Sequence, residues 1–347
     1  MKAVTMRPRQ AAVGQPSLPA RHGRYRGETY YDRPALKAAH WDWTVSSYIF
    51  LTGLAGAAQA IAAIGQALDR QRYHGVLRNA RFLSSIGSAV GAGLLIADLK
   101  TPKRFYNMLR ILRPTSPMSF GSYIFGAFGG LSWLSALGEL RSGRGRLARL
   151  VRRSADVAQV GAGLTGAGAS TYTAALMAST STPFWAAAPR WLGLQFATSA
   201  VASAAATLSL AERWGGRTDN SRRLDRLAAL ATAAHLVASL GARRQRHDKG
   251  LDEVSESPQG RRLELGDLVI GGAVPLAAYA LHRLTRERAP ALSVVGSLAV
   301  IAGGFLLRHG TMNAGHASAR KPRAYFRFAQ PENLPRDRSV IRLGPPR

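Results

Sequence analysis

The sequence predicts an all-α protein, a polytopic integral membrane helix bundle with about eight transmembrane helices. Three observations predict it. Charge-free apolar runs recur along the chain, those at 43–68, 114–138, 157–189 and 191–211 being the longest; about 20 such residues cross a hydrocarbon core roughly 30 Å thick. Cations gather between the runs, so the mean hydropathy of -0.06 averages two unlike kinds of segment. Glycines fall at small-xxx-small spacing inside the runs, as at Gly87/Gly91 and Gly126/Gly130. Such spacing lets backbones approach in lipid, where no hydrophobic drive brings helices together. A soluble bundle would need a polar face on each helix, and the first, third, fourth and fifth runs have none.

In chain order, residues 1–40 form a basic tail rich in Arg, Pro and Gly. They lack the apolar h-region of a secretion signal, so the first span is expected to direct insertion itself. His40-Trp41-Asp42-Trp43 leads into that span, with both tryptophans suited to an interfacial belt. Spans are expected at 44–68, 79–98, 119–139, 155–180, 191–211, 224–242, 265–283 and 290–308, forming a bundle over 41–310. Pro183 and Pro189 separate the fourth span from the fifth. A basic tail over 311–347 closes the chain.

The stretch 98–122 interrupts this pattern with Lys100, Lys103, Arg104, Arg110 and Arg113. Pro102, Pro114 and Pro117 bar one continuous helix through it. Phe105, Met108, Leu109 and Leu112 still recur at helical spacing, which predicts a short amphipathic helix between the prolines. Thr115, Ser116 and Ser119 supply hydroxyl caps at the entry to the third span.

An even span count places both termini and the 98–122 loop on one face. Assigning each Lys and Arg to its nearer helix end puts 29 of the 47 on that face and 18 on the other. The bias makes the shared face cytoplasmic. The net charge of +28 raises nucleic-acid binding, but these cations flank apolar runs as juxtamembrane positives do. The absence of cysteine excludes disulfides, thiolate zinc sites and cysteine-ligated iron–sulfur clusters. His235 is the one histidine well inside a span, so no haem-ligating pair is evident. No nucleophile elbow, phosphate loop or dinucleotide fingerprint occurs.

The 98–122 stretch resembles the loop between helices two and three of the NrfD/polysulfide reductase membrane-subunit family. Asp98-Leu99, Pro102, Arg104-Phe105, Met108-Leu109, Pro114-Thr115-Ser116-Pro117-Met118-Ser119 and Gly121-Ser122 match the family pattern. Lys100-Thr101 stands where the family usually has Gly-Arg. Trp41-Asp42 is similar to its Trp-acid pair before the first helix, and Tyr172-Thr173 to its Tyr-Thr pair in the fourth. The resemblance extends over about residues 30–325.

It implies the membrane-anchor, quinone-interacting subunit of a multi-subunit oxidoreductase of the kind used in anaerobic respiration. The substrate would be menaquinone or ubiquinone, exchanged with the membrane pool. Partners would be an iron–sulfur, ferredoxin-like subunit and a catalytic, often molybdopterin, subunit, in the bacterial cytoplasmic (inner) membrane. The implied roles are Asp98 and Asp42 as proton relays, and His40 and Tyr172 as donors to quinone oxygens. Arg104 would orient Asp98, and Thr115 and Ser116 would shape the pocket rim. Each residue also has a plainer reading: an Asp98–Arg104 pair that fixes the loop, solvated His40 and Asp42, a packing Tyr172, and Thr115 and Ser116 as caps. Buried acids and broken helices would equally suit a transporter or proton-translocating module without a redox partner. The Lys100-Thr101 departure leaves open an anchor whose quinone site has decayed.

Overall fold

The computed structural model describes residues 34, 36–113, 115–140 and 145–329. The tail expectations for 1–33 and 330–347, and Pro114 of the loop, lie outside the described residues. What is described is helical, with no strand. Eight long helices occur: α1 (Trp43–Asp69), α2 (His74–Asp98), α3 (Pro117–Leu140), α4 (Arg146–Ala178), α5 (Pro189–Trp214), α6 (Thr218–Asp248), α7 (Pro258–Leu284) and α8 (Pro290–Arg320).

The all-α membrane bundle expected from the sequence is the architecture found. On length and composition, α1, α2, α3, α5, α7 and α8 qualify to cross a membrane. At 33 and 31 residues, α4 and α6 are as long, but charged residues near their N-terminal ends and polar side chains further in make them less apolar. Large apolar side chains such as Trp133, Leu137, Leu164, Leu230 and Val237 face outwards. In water they would form a costly patch; in lipid they are the solvated surface.

The helices alternate in direction and pack in two groups. In the first, α1 packs on α2 and α4, and α3 packs on α4; in the second, α5 packs on α6, and α8 on α5 and α7. The groups join where α1 meets α5 and α8, and where α4 meets α5. Proline starts α3, α5, α7 and α8, where its missing N–H costs nothing because the first turn has no intrahelical acceptor. Glycine sets the closest approach: a Cβ on Gly56 would stand 2.2 Å from the Gly166 carbonyl oxygen, and one on Gly166 2.7 Å from that of Gly56. No other residue lets α1 and α4 cross so closely.

One cation is locked in the core between the groups. Arg308 of α8, 1% exposed, donates to Ser199 Oγ (3.1 Å) and to the carbonyls of Gly304 (2.7 Å) and Phe196 (3.3 Å). Its guanidinium also lies 5.1 Å from the Phe196 ring centroid. Carbonyl dipoles and a ring face thus replace water around the charge.

Several boundaries differ from the sequence reading for identifiable reasons. The last helix runs to Arg320, past the expected end at 308, and its added turns pack on the bundle through His309, whose Nδ1 lies 3.4 Å from Ser46 Oγ of α1. The 98–122 loop contains a 3-10 helix at Pro102–Leu109, whose Arg104 departs from helical geometry (φ -109, ψ 17). Within α7, Leu265–Ala273 is wound as a π-helix, which apolar periodicity did not show.

Candidate functional site

The end of the bundle formed by the start of α1 and the end of α2 holds a cavity of about 280 Å³. Four elements beyond α1 build it: α2, the 3-10 segment 102–109, α3 and α4. Its walls are apolar, with Val45, Ile49, Ile96, Phe105, Met108 and Leu176 among them. Its few polar groups are concentrated in Asp98, Tyr48 and Tyr172.

Local structure fixes each of these. Asp98 is the last residue of α2, where the chain turns into the Pro102 loop, so its half-buried carboxyl sits at the cavity rim. Tyr48 lies in the second turn of α1, 4% exposed, its ring edge-on to Phe125 at 5.3 Å. Tyr172 stands late in α4 and packs its ring on Gly121, where a Cβ would fall 2.0 Å from the ring carbons. The Tyr48 hydroxyl faces the Thr52 hydroxyl one turn further along α1, and the Tyr172 hydroxyl faces the same cavity. A buried phenol normally has a hydrogen-bond partner, and both hydroxyls are donors at the cavity wall.

The loop is pinned against the cavity by hydrogen bonds. Tyr123 Oη donates to the Leu109 carbonyl (2.8 Å), Ser119 Oγ to that of Ile111 (3.3 Å), and the Arg113 N–H to Ser119 Oγ (3.0 Å). Apolar positions of the 3-10 segment cover the cavity, while its cations point to solvent. On the other side Trp41 stacks on Trp185 at 5.4 Å and 19°. Trp185 is anchored by its Nε1–H to the Thr311 carbonyl (2.8 Å).

A short polar relay runs from the rim outwards. Thr44 Oγ1 lies 2.5 Å from Asp42 Oδ1 and 3.5 Å from Asp98 Oδ1. A hydroxyl has one proton to donate, and the shorter contact claims it. Asp98 therefore has only this long contact, and it joins no ion pair among the described residues. Asp42 is the N-cap of α1: it also accepts the Thr44 N–H (2.7 Å). The Thr44 hydroxyl first, and its N–H second, hold the Asp42 carboxyl below the usual carboxylate range. Its capping contribution is therefore complete at neutral pH and is lost as pH falls through that depressed value. Asp42→Ala is expected to destabilise the protein by about 1 kcal/mol, with Asp42→Asn retaining most of the cap. Thermal melts in detergent check this, and identical melts for Asp42→Ala and wild type would remove the cap from the account.

The expected site residues are thus divided by the structure. Asp98 and Tyr172 share the cavity, and Asp42 reaches it through Thr44. His40 is exposed and does not line the cavity. Arg104 is exposed and forms no ion pair with Asp98: the 3-10 geometry that begins at Pro102 carries it away. Thr115 is exposed, and Ser116 Oγ accepts the Ser119 N–H (3.4 Å) as a cap of α3. Tyr48 escaped the sequence reading. Its one signal was a phenol two turns into an otherwise apolar helix.

No group of three or more His, Cys, Asp or Glu among the described residues could hold a metal ion. In comparisons with known proteins, the chain matches the family described as polysulphide reductase, NrfD, over residues 35–318. No curated protein matches it.

Proposed function

The chain belongs to the polysulphide reductase NrfD family, whose members are membrane subunits of quinone-linked oxidoreductase complexes, and from that premise we propose that the α1–α4 cavity is its quinone site. The observation that carries the reading is the pairing of an apolar cavity with three convergent polar groups, the Asp98 carboxyl and the Tyr48 and Tyr172 hydroxyls. An apolar cleft with few convergent polar groups is the general form of a small-molecule site. A volume of about 280 Å³ accepts a substituted quinone ring, and the apolar walls suit the start of its isoprenoid tail.

A quinol gives up two electrons and two protons on oxidation, and takes up the same on the reverse path. The chain's own residues supply the proton chemistry. Tyr48 and Tyr172 donate hydrogen bonds to the ring oxygens and fix the ring. Asp98, at the rim, accepts or returns a proton, and Thr44 and Asp42 connect it to water at the helix end. Geometry precedes acidity in such an assignment, and here the geometry favours Asp98 over Asp42. With no cysteine in the chain, the electrons pass to an iron–sulfur partner subunit and from it to or from a catalytic subunit. The exchangeable quinone would be menaquinone or ubiquinone.

Binding of a fluorescent quinol analogue, heptyl-hydroxyquinoline N-oxide, tests the site directly. Quenching should saturate with wild-type protein. Gly126→Trp should abolish it, because Gly126 lines the cavity and a Cβ there meets only Leu109, at 3.9 Å. Undiminished binding by a folded Gly126→Trp protein would sink the reading.

We further place this end of the bundle in the cytoplasm of a bacterial inner membrane, on the charge bias. Because the chain has no cysteine, Lys100→Cys and Thr285→Cys can be labelled singly on intact cells with an impermeant maleimide. Labelling is expected at 285; labelling at 100 instead would reverse the orientation.

A further inference from the structure

The second helix group carries a groove that the quinone reading does not use. It lies between the first half of α7 and the last turns of α8, with a volume of about 560 Å³. Gly266 and Gly310 line it where the two helices touch. A Cβ on Gly266 would stand 2.7 Å from that of Leu306, and one on Gly310 3.0 Å from the Leu263 Cα.

The two ends of the groove differ in chemistry. Leu265, Ile270 and Leu306 wall the deeper end, while Arg262 and Arg320, both exposed, stand at the other. Between them His309, Asn313 and His316 line the groove from α8. The spacing 309, 313, 316, 320 puts these side chains on one face of the helix, a polar stripe that bare hydrocarbon would solvate poorly. Depth is set by α1: His309 Nδ1 lies 3.4 Å from Ser46 Oγ in its first turn. Asn313, His316 and Arg320 therefore stand level with the start of α1 or beyond it, where Trp43, 60% exposed, marks the membrane interface. Leu306 lies roughly 20 Å along the axis from Arg320. The groove thus runs from the interface into the apolar band, in the order of headgroup, ester region and acyl chain.

Charge selects the class of lipid. Among the described residues no Asp or Glu lines the groove. Other arginine-lined hollows carry their own carboxylates, Asp225 and Glu287 in one and Asp252, Glu256 and Glu264 in another. The positive charge of this groove is left for a ligand, and guanidinium forks match phosphate oxygens in pairs.

We propose that the α7–α8 groove binds one anionic phospholipid, separately from the quinone cavity. Arg262 holds the headgroup phosphate, Arg320 adds positive charge at the mouth, and an acyl chain lies along Leu265, Ile270 and Leu306. Basic pockets between transmembrane helices take such headgroups. A free anion would leave the apolar walls unused, and a neutral lipid would leave the arginines unanswered.

Native mass spectrometry of the delipidated full chain, titrated with phosphatidylglycerol or with phosphatidylcholine of the same acyl chains, reads the site. The wild-type protein should take up one phosphatidylglycerol about tenfold more tightly, the scale of one hydrogen bond to a charged group. Arg262→Gln should remove that preference. Arg283→Gln, which removes an exposed arginine at the other end of α7, should keep it. Equal binding of the two lipids by the wild-type protein would overturn the proposal without any variant having to fold. An equal loss in Arg283→Gln would also overturn it, by showing diffuse attraction to a basic protein. Displacement of the lipid by millimolar inorganic phosphate would make the groove a free-anion site, and dimers that exclude the lipid would make it a contact between copies; either result sinks the lipid assignment.

Discussion

Asp98→Asn is expected to lower quinone-linked turnover about 100-fold, the lower end of what a positioned acid–base group contributes. The substitution keeps the side chain's shape and its long contact to Thr44 while removing the proton capacity at the cavity rim. No ion pair is broken, so insertion and assembly should be unaffected. Electron transfer from the partner subunits to artificial acceptors should also be preserved, because it bypasses the cavity. Tyr172→Phe provides the graded comparison: losing one neutral hydrogen bond costs roughly 1 kcal/mol, about a fivefold effect. Wild-type quinone turnover in a correctly assembled Asp98→Asn complex would remove Asp98 from the site.

Even the smallest addition at Gly56 is expected to disrupt the bundle. In Gly56→Ala the new methyl would stand 2.2 Å from the Gly166 carbonyl oxygen, which is backbone and cannot rotate aside. The α1–α4 crossing must open, and the cost is at least the roughly 1–3 kcal/mol of ordinary overpacking. Those two helices carry Tyr48 and Tyr172, so the separation should also abolish binding of the quinol analogue. Fluorescence-detected gel filtration of the solubilised protein checks the first effect. By contrast Gly130→Ala should behave as wild type, since a Cβ there meets nothing within 4 Å. A monodisperse Gly56→Ala protein with normal analogue binding would show that the helices can part without consequence.

The two variants separate the kinds of information in the chain. Apolar run length, cation placement and glycine spacing are local properties, and by themselves they determined an all-α membrane bundle with helices near their observed positions. The motif of 98–122 likewise determined the family and pointed to Asp98. The Tyr-Thr pair pointed to Tyr172 in the same way, and the structure puts Asp98 and Tyr172 on the wall of one cavity.

Other features depend on where backbones meet, and only the tertiary structure decided them. Arg104 follows Asp98 by six residues, yet the 3-10 turn from Pro102 directs it to solvent. Tyr48 enters the site because α1 crosses α4 at Gly56 and Gly166, contacts 110 residues apart. Thr44 joins Asp42 to Asp98 only because α1 begins beside the end of α2. The His235–Asp267 contact joins α6 to the π-wound stretch of α7. Helix formation follows from short-range pattern and the surrounding lipid. A polar site inside the bundle depends on the azimuth of each helix, which is set by close packing between segments distant in sequence.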